Sequence, residues 1–401
     1  MEMNVYTKDE VRKILLRYHN IAGNEKLAGI DGVRRIMSRL GSIQYDPLNV
    51  VGRNADLVLQ SRVDGYRAEH LYTLLYEEHS LVDGFDKEMC IYTTKDFSKF
   101  SRVREEHAEF SIRTLEYRGQ TGALDILDDI KDFVTEHGIT GTKDISIGEV
   151  RESRWGHKKL SSAALDYLYN KGELCVADKK GTQKYFDLTE RVIPDDFNVT
   201  DDMTMDEFLD WYVGRRIKSL GFVWDKNGGV WQGHFLSDKN IRKIVLERLV
   251  EKNEIYTFQI EGLQNVFYAC NEFNSYSDGE DCKDYARFIA PLDNIMWDRS
   301  MLEKVFDFSY RWEVYIPVSK RKYGYYVIPV VYNNRFVARF EPEPVNKTKS
   351  LTKCFKIKNW WWEPEIQLTD RMKDTIIKEM NRFSEYLEAE CAKENIRKIG
   401  E

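Results

Sequence analysis

Apolar residues at the start of the chain recur at the spacing of short amphipathic helices. Four of them fall on one face of a helix predicted over residues 7–21: Val11, Ile14, Leu15 and Tyr18. Thr7 followed by Glu10 forms a capping-box pattern, which predicts that this helix begins just after Thr7. The same spacing predicts further helices over residues 32–40, 53–63 and 68–78. Short helices joined by tight turns are typical of helix-turn-helix packing.

From residue 145 onward the pattern predicts two helices followed by two alternating strands, and this order occurs twice. The first occurrence has helices over 146–152 and 161–171 and strands over 174–177 and 184–188. The second has helices over 205–220 and 237–251 and strands over 255–260 and 265–269. Helices followed by a hairpin describe a winged helix, so we predict winged-helix units in tandem.

After Pro291 the pattern becomes rich in strands. Strands are predicted over 313–318, 324–332 and 335–341, and Asn333-Asn334 predicts the turn between the last two. A charged amphipathic helix is predicted over 369–398.

These elements predict an α+β fold, with tandem winged helix-turn-helix units and a C-terminal β-rich, barrel-like domain. The first winged-helix unit is placed at residues 1–100, a helical connector at 101–142, and two more winged-helix units at 143–200 and 201–285. A β-rich domain follows at 286–368 and a C-terminal helix at 369–401. A chain of 401 residues with 42% hydrophobic residues is long enough for several domain cores.

Composition favours a soluble, cytoplasmic protein. The N-terminal residues contain acids and no apolar signal-peptide core, and no apolar run is long enough to span a bilayer. The six cysteines are scattered without a C-x-x-C pair, so we expect reduced thiols and no metal site. The chain also contains no P-loop, zincin, nucleophile-elbow or protein-kinase motif.

The net charge of −7 argues against a nucleic-acid partner, but one segment reverses the balance. Residues 311–360 carry seven lysines and four arginines against three glutamates, a net charge of +8, and several tyrosines and tryptophans lie among them. Basic residues interleaved with aromatic ones suit a surface that follows phosphates and stacks or wedges against bases. A sheet edge protected by lysines would have the same composition, and both interpretations stay open.

Gln44 and Asp46 are two polar residues in a stretch that otherwise looks buried. If this stretch is extended, strand alternation puts both side chains on one face, where an amide and a carboxylate together can position a water molecule. Pro47 disfavours helical dihedrals at Asp46, which predicts a strand end or loop. The alternative is a plain Asx-type turn or helix cap.

Several separated blocks of the chain resemble the YcaQ family, also called AlkX, of winged-helix DNA glycosylases. The blocks are LGSIQYDPLNVV at 40–51 with Ser61 and Arg62, residues 160–192, FIAPLDNIMWDR at 288–299, and YRWEVYIP at 310–317 followed by KRKYGYY at 320–326. The resemblance implies three tandem winged-helix units, a C-terminal β-rich domain, and removal of N7-alkylated purines from double-stranded DNA, including unhooking of interstrand crosslinks.

The family's catalytic signature falls on Gln44, Tyr45 and Asp46, and an aspartate in third position resembles the general repair branch. An N7-alkylguanine is already cationic, so it leaves without a general acid. Asp46 would stabilise the oxocarbenium-like sugar and act as general base, while Gln44 would orient water or hold the backbone. No catalytic lysine, metal or cofactor is required, which implies a monofunctional enzyme that we expect to be a monomer.

The chain departs from the family pattern where Ala55 and Lys87 replace histidines. We predict DNA contacts by eight residues: Arg53, Arg62, Lys158, Lys320, Arg321, Lys322, Tyr323 and Arg339. A non-enzymatic winged-helix DNA-binding protein or transcription regulator is the main alternative, in which Gln44 and Asp46 only shape a turn. A nuclease is disfavoured because Asp46 has no acidic neighbour in the motif to share a magnesium ion.

Overall fold

The computed structural model describes residues 4–147, 159–278, 283–345 and 353–400. The chain divides into two compact bodies. The discontinuous body consists of Met1–Leu71 and Leu209–Glu401, and the continuous body consists of Tyr72–Phe208. The Gln44 motif and the basic aromatic segment both belong to the discontinuous body.

Most helices predicted before residue 300 are present with shifted ends, and the stretch predicted only as a helical connector contains two further helices. The α-helices are Lys8–Tyr18, Gly29–Leu40, Asn54–Gln60, Ala68–Tyr72, Ser101–Arg118, Leu127–His137, Leu160–Lys171, Thr189–Val192, Met205–Leu220, Lys239–Glu251, Arg299–Phe306, Asp370–Tyr386 and Lys393–Gly400. Among the helices of the described residues, none is both long and apolar enough to span a bilayer.

The strands are mostly short and occur throughout the chain. They are Asn4–Tyr6, Ser42–Gln44, Leu81–Phe85, Met89–Thr93, Thr140–Gly141, Leu174–Lys180, Gln183–Leu188, Phe222–Trp224, Ile255–Ile260, Val266–Cys270, Ala286–Phe288, Ile328–Tyr332, Arg335–Pro342, Cys354–Phe355, Ile357–Trp362 and Glu390–Cys391. The mixture of helices and strands confirms the α+β class.

The capping box predicted for the first helix is confirmed. The Glu10 N–H donates to Thr7 Oγ1 at 3.2 Å, and the Thr7 N–H donates to Glu10 Oε2 at 2.7 Å. These bonds satisfy two donors that the first turn of a helix otherwise leaves without partners. The helix therefore begins where local sequence chemistry predicts.

One four-stranded sheet of the discontinuous body combines the predicted hairpin with the N-terminus. Its order is Asn4–Tyr6, Ile255–Ile260, Val266–Cys270 and Phe222–Trp224. The N-terminal strand, which the sequence pattern did not predict, runs parallel to Ile255–Ile260. Burial of aromatic rings explains the stability of this sheet, because the rings of Phe222, Phe258 and Phe267 lie with centroids 5.5 to 5.7 Å apart.

The second four-stranded sheet is open, so the barrel-like prediction is wrong for the described residues. Its order is Ala286–Phe288, Ile328–Tyr332, Arg335–Pro342 and Ile357–Trp362, with antiparallel pairing throughout. The turn at Asn333-Asn334 is confirmed, and Asn333 adopts a left-handed φ of 49°. The predicted strand over 313–318 is wrong as well, because residues 314–316 form a turn and bend and 318–320 form a 3₁₀ turn.

The single C-terminal helix predicted over 369–398 is also wrong, because the chain turns between two helices. Asp370–Tyr386 ends before Glu388, whose φ of 50° lies outside the helical region. Glu390–Cys391 then pairs in parallel with Cys354–Phe355 before the helix Lys393–Gly400 begins. Pairing with a strand distant in sequence therefore overrides the helical pattern.

The continuous body contains a hairpin, Leu81–Phe85 with Met89–Thr93, and a three-stranded sheet. The sheet has the order Thr140–Gly141, Gln183–Leu188, Leu174–Lys180, which confirms the hairpin predicted after residue 173. The helix predicted over 146–152 lies mostly outside the described residues. Assignment of winged helices, and the six-part division of the chain, stay predictions.

Candidate active site

The strand Ser42–Gln44 brings the Gln44 motif to a strand end, as predicted. The preceding helix ends at Leu40, and Gly41 follows with a left-handed φ of 71°. Arg215 Nη2 donates to the Gly41 carbonyl at 2.8 Å, which holds this turn. Beyond Gln44 the chain is irregular through Asn49, so Asp46 lies on a loop that directly follows a short, anchored strand.

Asp46 is partly exposed, and one of its oxygens is used locally. The Leu48 N–H donates to Asp46 Oδ1 at 2.9 Å, an Asx-type turn that the sequence alternative anticipated. No described residue donates a hydrogen bond to the second oxygen, Oδ2. Burial raises the pKa of Asp46, while the Leu48 N–H acts in the opposite direction. The turn therefore orients the carboxylate and leaves one oxygen for chemistry.

A cluster of buried polar residues lies near the motif. Asp56 is buried and accepts hydrogen bonds from the Tyr66 hydroxyl at 2.7 Å and from Arg53 Nε at 2.9 Å. Tyr326 is buried as well, and burial raises its pKa, with the charges of Asp46 and Asp56 among the lesser causes. Sequence reasoning missed Asp56 and counted Tyr326 only among the aromatic residues of the basic segment, not as a buried neighbour of the motif. The structure thus brings Asp46 near the phenol of Tyr326, which lies within the basic aromatic segment.

Arg53 is the one predicted DNA contact next to the motif. Its side chain is 28% exposed and is paired with Asp56. Although burial lowers the pKa of Arg53, the Asp56 carboxylate raises it by more, so the net shift is upward. Arg53 is therefore a permanent, partly solvated cation paired with Asp56, and its role as a phosphate contact stays a prediction.

Arg62 is placed differently from its prediction. The side chains of Arg62 and Asp293 are both 0% exposed, and both guanidinium Nη atoms donate to the carboxylate at 2.7 Å. Arg62 Nη2 also lies 3.2 Å from His19 Nδ1, and burial keeps the pKa of His19 well below its usual range. This placement does not fit a phosphate contact, and we correct the prediction to a structural role.

Two buried asparagines hold the strand that carries the motif. Asn54 Nδ2 donates to the Gln44 carbonyl at 2.8 Å, and Asn294 Nδ2 donates to the Ser42 carbonyl at 2.9 Å. Asn294 lies in the FIAPLDNIMWDR block, to which sequence reasoning assigned no atomic role. No local signal identified Asn54, because its partners are distant in the sequence.

The first part of the basic aromatic segment, residues 311–325, forms a loop that we call the basic loop. The buried Glu313 carboxylate accepts from the N–H groups of Lys322, Tyr323 and Gly324 at 2.9, 2.8 and 3.3 Å. Burial raises the pKa of Glu313, but these three bonds lower it by more, and the net shift is downward. Glu313 is thus an ionised carboxylate that organises the loop, which explains why a strand does not form there.

The basic loop exposes cationic side chains and apolar side chains next to one another in the sequence. Lys320 and Lys322 are exposed, while Tyr315 is 81% and Val318 is 77% exposed. Arg321 is less exposed, because its Nε donates to the Ile316 carbonyl at 2.8 Å and its guanidinium lies 5.0 Å from the Tyr325 ring centre. Sequence reasoning missed Val318 as part of this surface.

Arg339 packs against Tyr323, a residue of the basic loop. The Arg339 guanidinium lies 4.2 Å from the Tyr323 ring centre and 4.6 Å from that of Phe308, and its Nε donates to Glu363 at 2.6 Å. The Arg339 side chain is only 3% exposed. A phosphate contact does not fit this burial, so we correct Arg339 to a structural role. Tyr323 is partly exposed and stays a predicted DNA contact.

The remaining sequence observations have limited structural counterparts. Lys158 lies outside the described residues, so its predicted contact has no structural account here. Ala55 and Lys87, where the family resemblance led us to expect histidines, are both buried. In the part of the chain that the structure describes, no group of three or more His, Cys, Asp or Glu residues is arranged to hold a metal ion.

Comparisons with known proteins identify the family and a similar fold. A family model described as DNA glycosylase AlkZ-like matches residues 37–391, a range that contains the Gln44 motif, Asn294 and the basic loop. The solved structure of Streptomyces sahachiroi DNA glycosylase AlkZ is similar, with a TM-score of 0.65 and 11% sequence identity. That similarity covers 96% of this chain and 99% of the other, and at this identity it shows the fold alone.

Proposed function

The chain belongs to the AlkZ-like family of DNA glycosylases, and from that premise we propose that it hydrolyses the N-glycosidic bond of N7-alkylated purines in double-stranded DNA. We further propose a monofunctional enzyme that works as a monomer in the cytoplasm and also unhooks interstrand crosslinks. The single observation that carries the proposal is the Asp46 carboxylate, held by one oxygen at a strand end.

The reaction needs little from the protein beyond one carboxylate positioned next to the sugar of the damaged nucleotide. An N7-alkylated purine carries positive charge and leaves as a neutral base, so the transition state concentrates positive charge on the sugar. Asp46 would stabilise that charge and accept a proton from the attacking water. The raised pKa of Asp46 suits this second role, because a more basic carboxylate is a better proton acceptor. Gln44 would orient the water or hold the backbone.

No lysine is assigned to the site, so the proposal contains no Schiff-base or strand-cleaving step. It assigns no metal or cofactor either. Discrimination of damaged bases would come partly from weakened pairing, because a cationic, poorly paired nucleotide costs less to distort or extrude. The basic loop would supply phosphate contacts through Lys320 and Lys322.

Base release from a defined substrate tests this proposal. A duplex with one labelled 7-methylguanine is incubated with excess protein, and half of each sample is then heated in alkali. Release of 7-methylguanine, with strand cleavage only after alkali, would support a monofunctional glycosylase. Cleavage without alkali would contradict the monofunctional assignment. Tight binding to undamaged duplex without base release would contradict the enzyme and favour a transcription regulator.

The excision rate is expected to fall on acidification, with a midpoint above the ordinary aspartate pKa of about 3.9. Burial raises the pKa of Asp46, so the active carboxylate is present above that raised pKa and is lost by protonation as the pH falls through it. Single-turnover rates between about pH 4 and pH 8, corrected for spontaneous base loss without protein, would measure this fall in rate at acidic pH. The residual excision rate of Asp46→Asn should not fall in this way on acidification. If it did, the fall would arise from the titration of another group.

Removing the exposed lysines of the basic loop is expected to weaken DNA binding without affecting chemistry. Lys320→Ala/Lys322→Ala should make the slope of log affinity against log salt shallower by roughly 2, because each phosphate contact contributes about 0.9. Fluorescence anisotropy over a salt series would measure the slope, and saturating protein would measure the rate on bound duplex. The control is Lys378→Ala/Lys393→Ala, which removes two exposed lysines from the C-terminal helices. Equal slopes for both variants would contradict a DNA-facing basic loop.

A further inference from the structure

The strand that carries the motif is held by side-chain amides at both of its ends. At one end, Asn294 Nδ2 donates to the carbonyls of Ser42 and Ser219, at 2.9 and 3.1 Å. At the other end, Asn54 Nδ2 donates to the Gln44 carbonyl at 2.8 Å. The Gln44 carbonyl lies only two residues before Asp46 in the sequence. The bond from Asn54 therefore holds the end of the strand from which the chain continues to Asp46.

Asn54 ties this carbonyl to a second segment of the chain. Its Nδ2 also donates to the Leu292 carbonyl at 3.3 Å, and its Oδ1 accepts from the Leu292 N–H at 3.0 Å. Asn54 is 1% exposed, so each of its polar atoms needs a partner inside the protein. The amide supplies a donor and an acceptor in the order these backbone groups require. A shorter side chain or a carboxylate cannot supply both.

The location of Asn54 in its own helix also points to a tertiary role. Asn54 is the first residue of the helix Asn54–Gln60, and asparagine commonly serves at a helix start by capping. The N-cap position here is Arg53, and no side-chain cap bond forms. The Asn54 amide bonds instead to backbone groups 10 and 238 positions away. Local helix chemistry therefore does not account for an asparagine at this position.

The segment to which Asn54 bonds is itself firmly anchored. We call Leu292, Asp293 and Asn294 the platform. The carboxylate of Asp293 accepts two bonds from Arg62 at 2.7 Å, and both side chains are fully buried. The platform thus offers a fixed reference for the strand Ser42–Gln44. Its own Asn294 holds one end of the strand, and Asn54 ties the other end to Leu292.

We infer that Asn54 is a positioning residue, which places Asp46 by fixing the Gln44 carbonyl to the platform. The inference rests on the proposed function. Asn54 does not contact the reacting atoms and acts through the backbone that leads to Asp46. Misplacement of a catalytic group by about 1 Å can lower a rate by about a hundredfold, so one hydrogen bond at this point has a large effect on turnover.

The test compares Asn54→Asp with a matched variant elsewhere in the same body. Asn54→Asp keeps the size and the acceptor for the Leu292 N–H but loses the donor to the carbonyls of Gln44 and Leu292. Asn395 makes the same kind of clamp, since its Oδ1 accepts from the Ile357 N–H and its Nδ2 donates to the Phe355 carbonyl, both at 2.9 Å. It is buried to the same extent as Asn54. Asn395→Asp therefore controls for the loss of stability.

The expected result separates rate from stability and from binding. At saturating protein and below both melting temperatures, Asn54→Asp should lower the single-turnover excision rate by about ten- to a hundredfold, with duplex affinity changed by less than about threefold. Asn395→Asp should lose similar stability and keep the wild-type rate. In an Asp46→Asn background the effect of Asn54→Asp should largely disappear, because both changes act on the same group.

Two outcomes would overturn the inference. One is a rate loss in Asn54→Asp that is no larger than in Asn395→Asp, which would make Asn54 an ordinary stabilising residue. The other is a full rate loss that persists in the Asp46→Asn background, which would show that Asn54 acts on something else. Both leave wild-type excision intact and so leave the proposed function standing. Absence of excision by the wild type would instead overturn the proposed function and this inference together.

Discussion

Asp46→Asn is expected to lower the single-turnover rate of base excision by two orders of magnitude or more and to leave duplex binding intact. Asparagine keeps an oxygen that can accept from the Leu48 N–H, so the Asx-type turn can persist. It has no charge to stabilise an oxocarbenium-like sugar and does not take up a proton from water. A loss of about a hundredfold or more is the usual scale for a removed base or electrostatic group.

Two measurements on Asp46→Asn separate a catalytic role from a structural one. Excision at saturating protein reports the chemical step, and anisotropy with the same duplex reports binding. Asp374→Asn is the matched control, because Asp374 is exposed on the helix Asp370–Tyr386 and the same charge is removed there. If Asp46→Asn lost binding and activity together, Asp46 would be structural, and the turn alone would explain its presence.

Asp293→Ala is expected to lower the free energy of unfolding of the discontinuous body by about 3–5 kcal/mol. The change leaves the Arg62 guanidinium fully buried without its carboxylate, and an unpaired buried charge is among the costliest single changes in a protein. The Ile295 N–H would also lose its bond to Asp293 Oδ1 at 3.1 Å. Urea unfolding followed by fluorescence would measure the change.

Two further variants show whether the stability lost in Asp293→Ala comes from the unpaired charge of Arg62. Asp31→Ala removes a carboxylate from an exposed pair with Arg34 and is expected to change stability by less than about 1 kcal/mol. Arg62→Met/Asp293→Leu removes both charges and should be more stable than Asp293→Ala, because no charge is left unpaired. If Asp293→Ala cost no more than Asp31→Ala, the platform would not depend on this ion pair.

Residues that interact with close sequence neighbours were the predictable part of this molecule. The capping box at Thr7, the helix Met205–Leu220 and the turn at Asn333-Asn334 depend on local backbone chemistry, and the structure contains each of them. Gln44 and Asp46 were identifiable for the same reason. Pro47 and the alternation of polar and apolar residues are local signals, and they placed the pair at a strand end.

The failed predictions share a physical cause, which is competition from partners distant in sequence. The 313–318 stretch has strand composition, yet the Glu313 carboxylate accepts backbone N–H groups nine to eleven positions away and stabilises a turn. Arg62 and Arg339 read as surface cations, yet acidic partners 231 and 24 positions away hold them in the interior. Charge in a sequence shows that a partner is needed and does not show whether that partner is a phosphate or a carboxylate.

The sequence by itself determined the family, the α+β class, most helices and the motif that carries the proposed chemistry, because each depends on short-range patterns or contiguous blocks. Only the tertiary structure decided how the motif is held. Asn54 and Leu292 are 238 positions apart, and Arg62 and Asp293 are 231 apart. Hydrogen bonds over such separations form only when packing of the whole body brings the groups together, so they leave no periodic signal in the chain. The raised pKa of Asp46 likewise arises from burial, which folding alone creates.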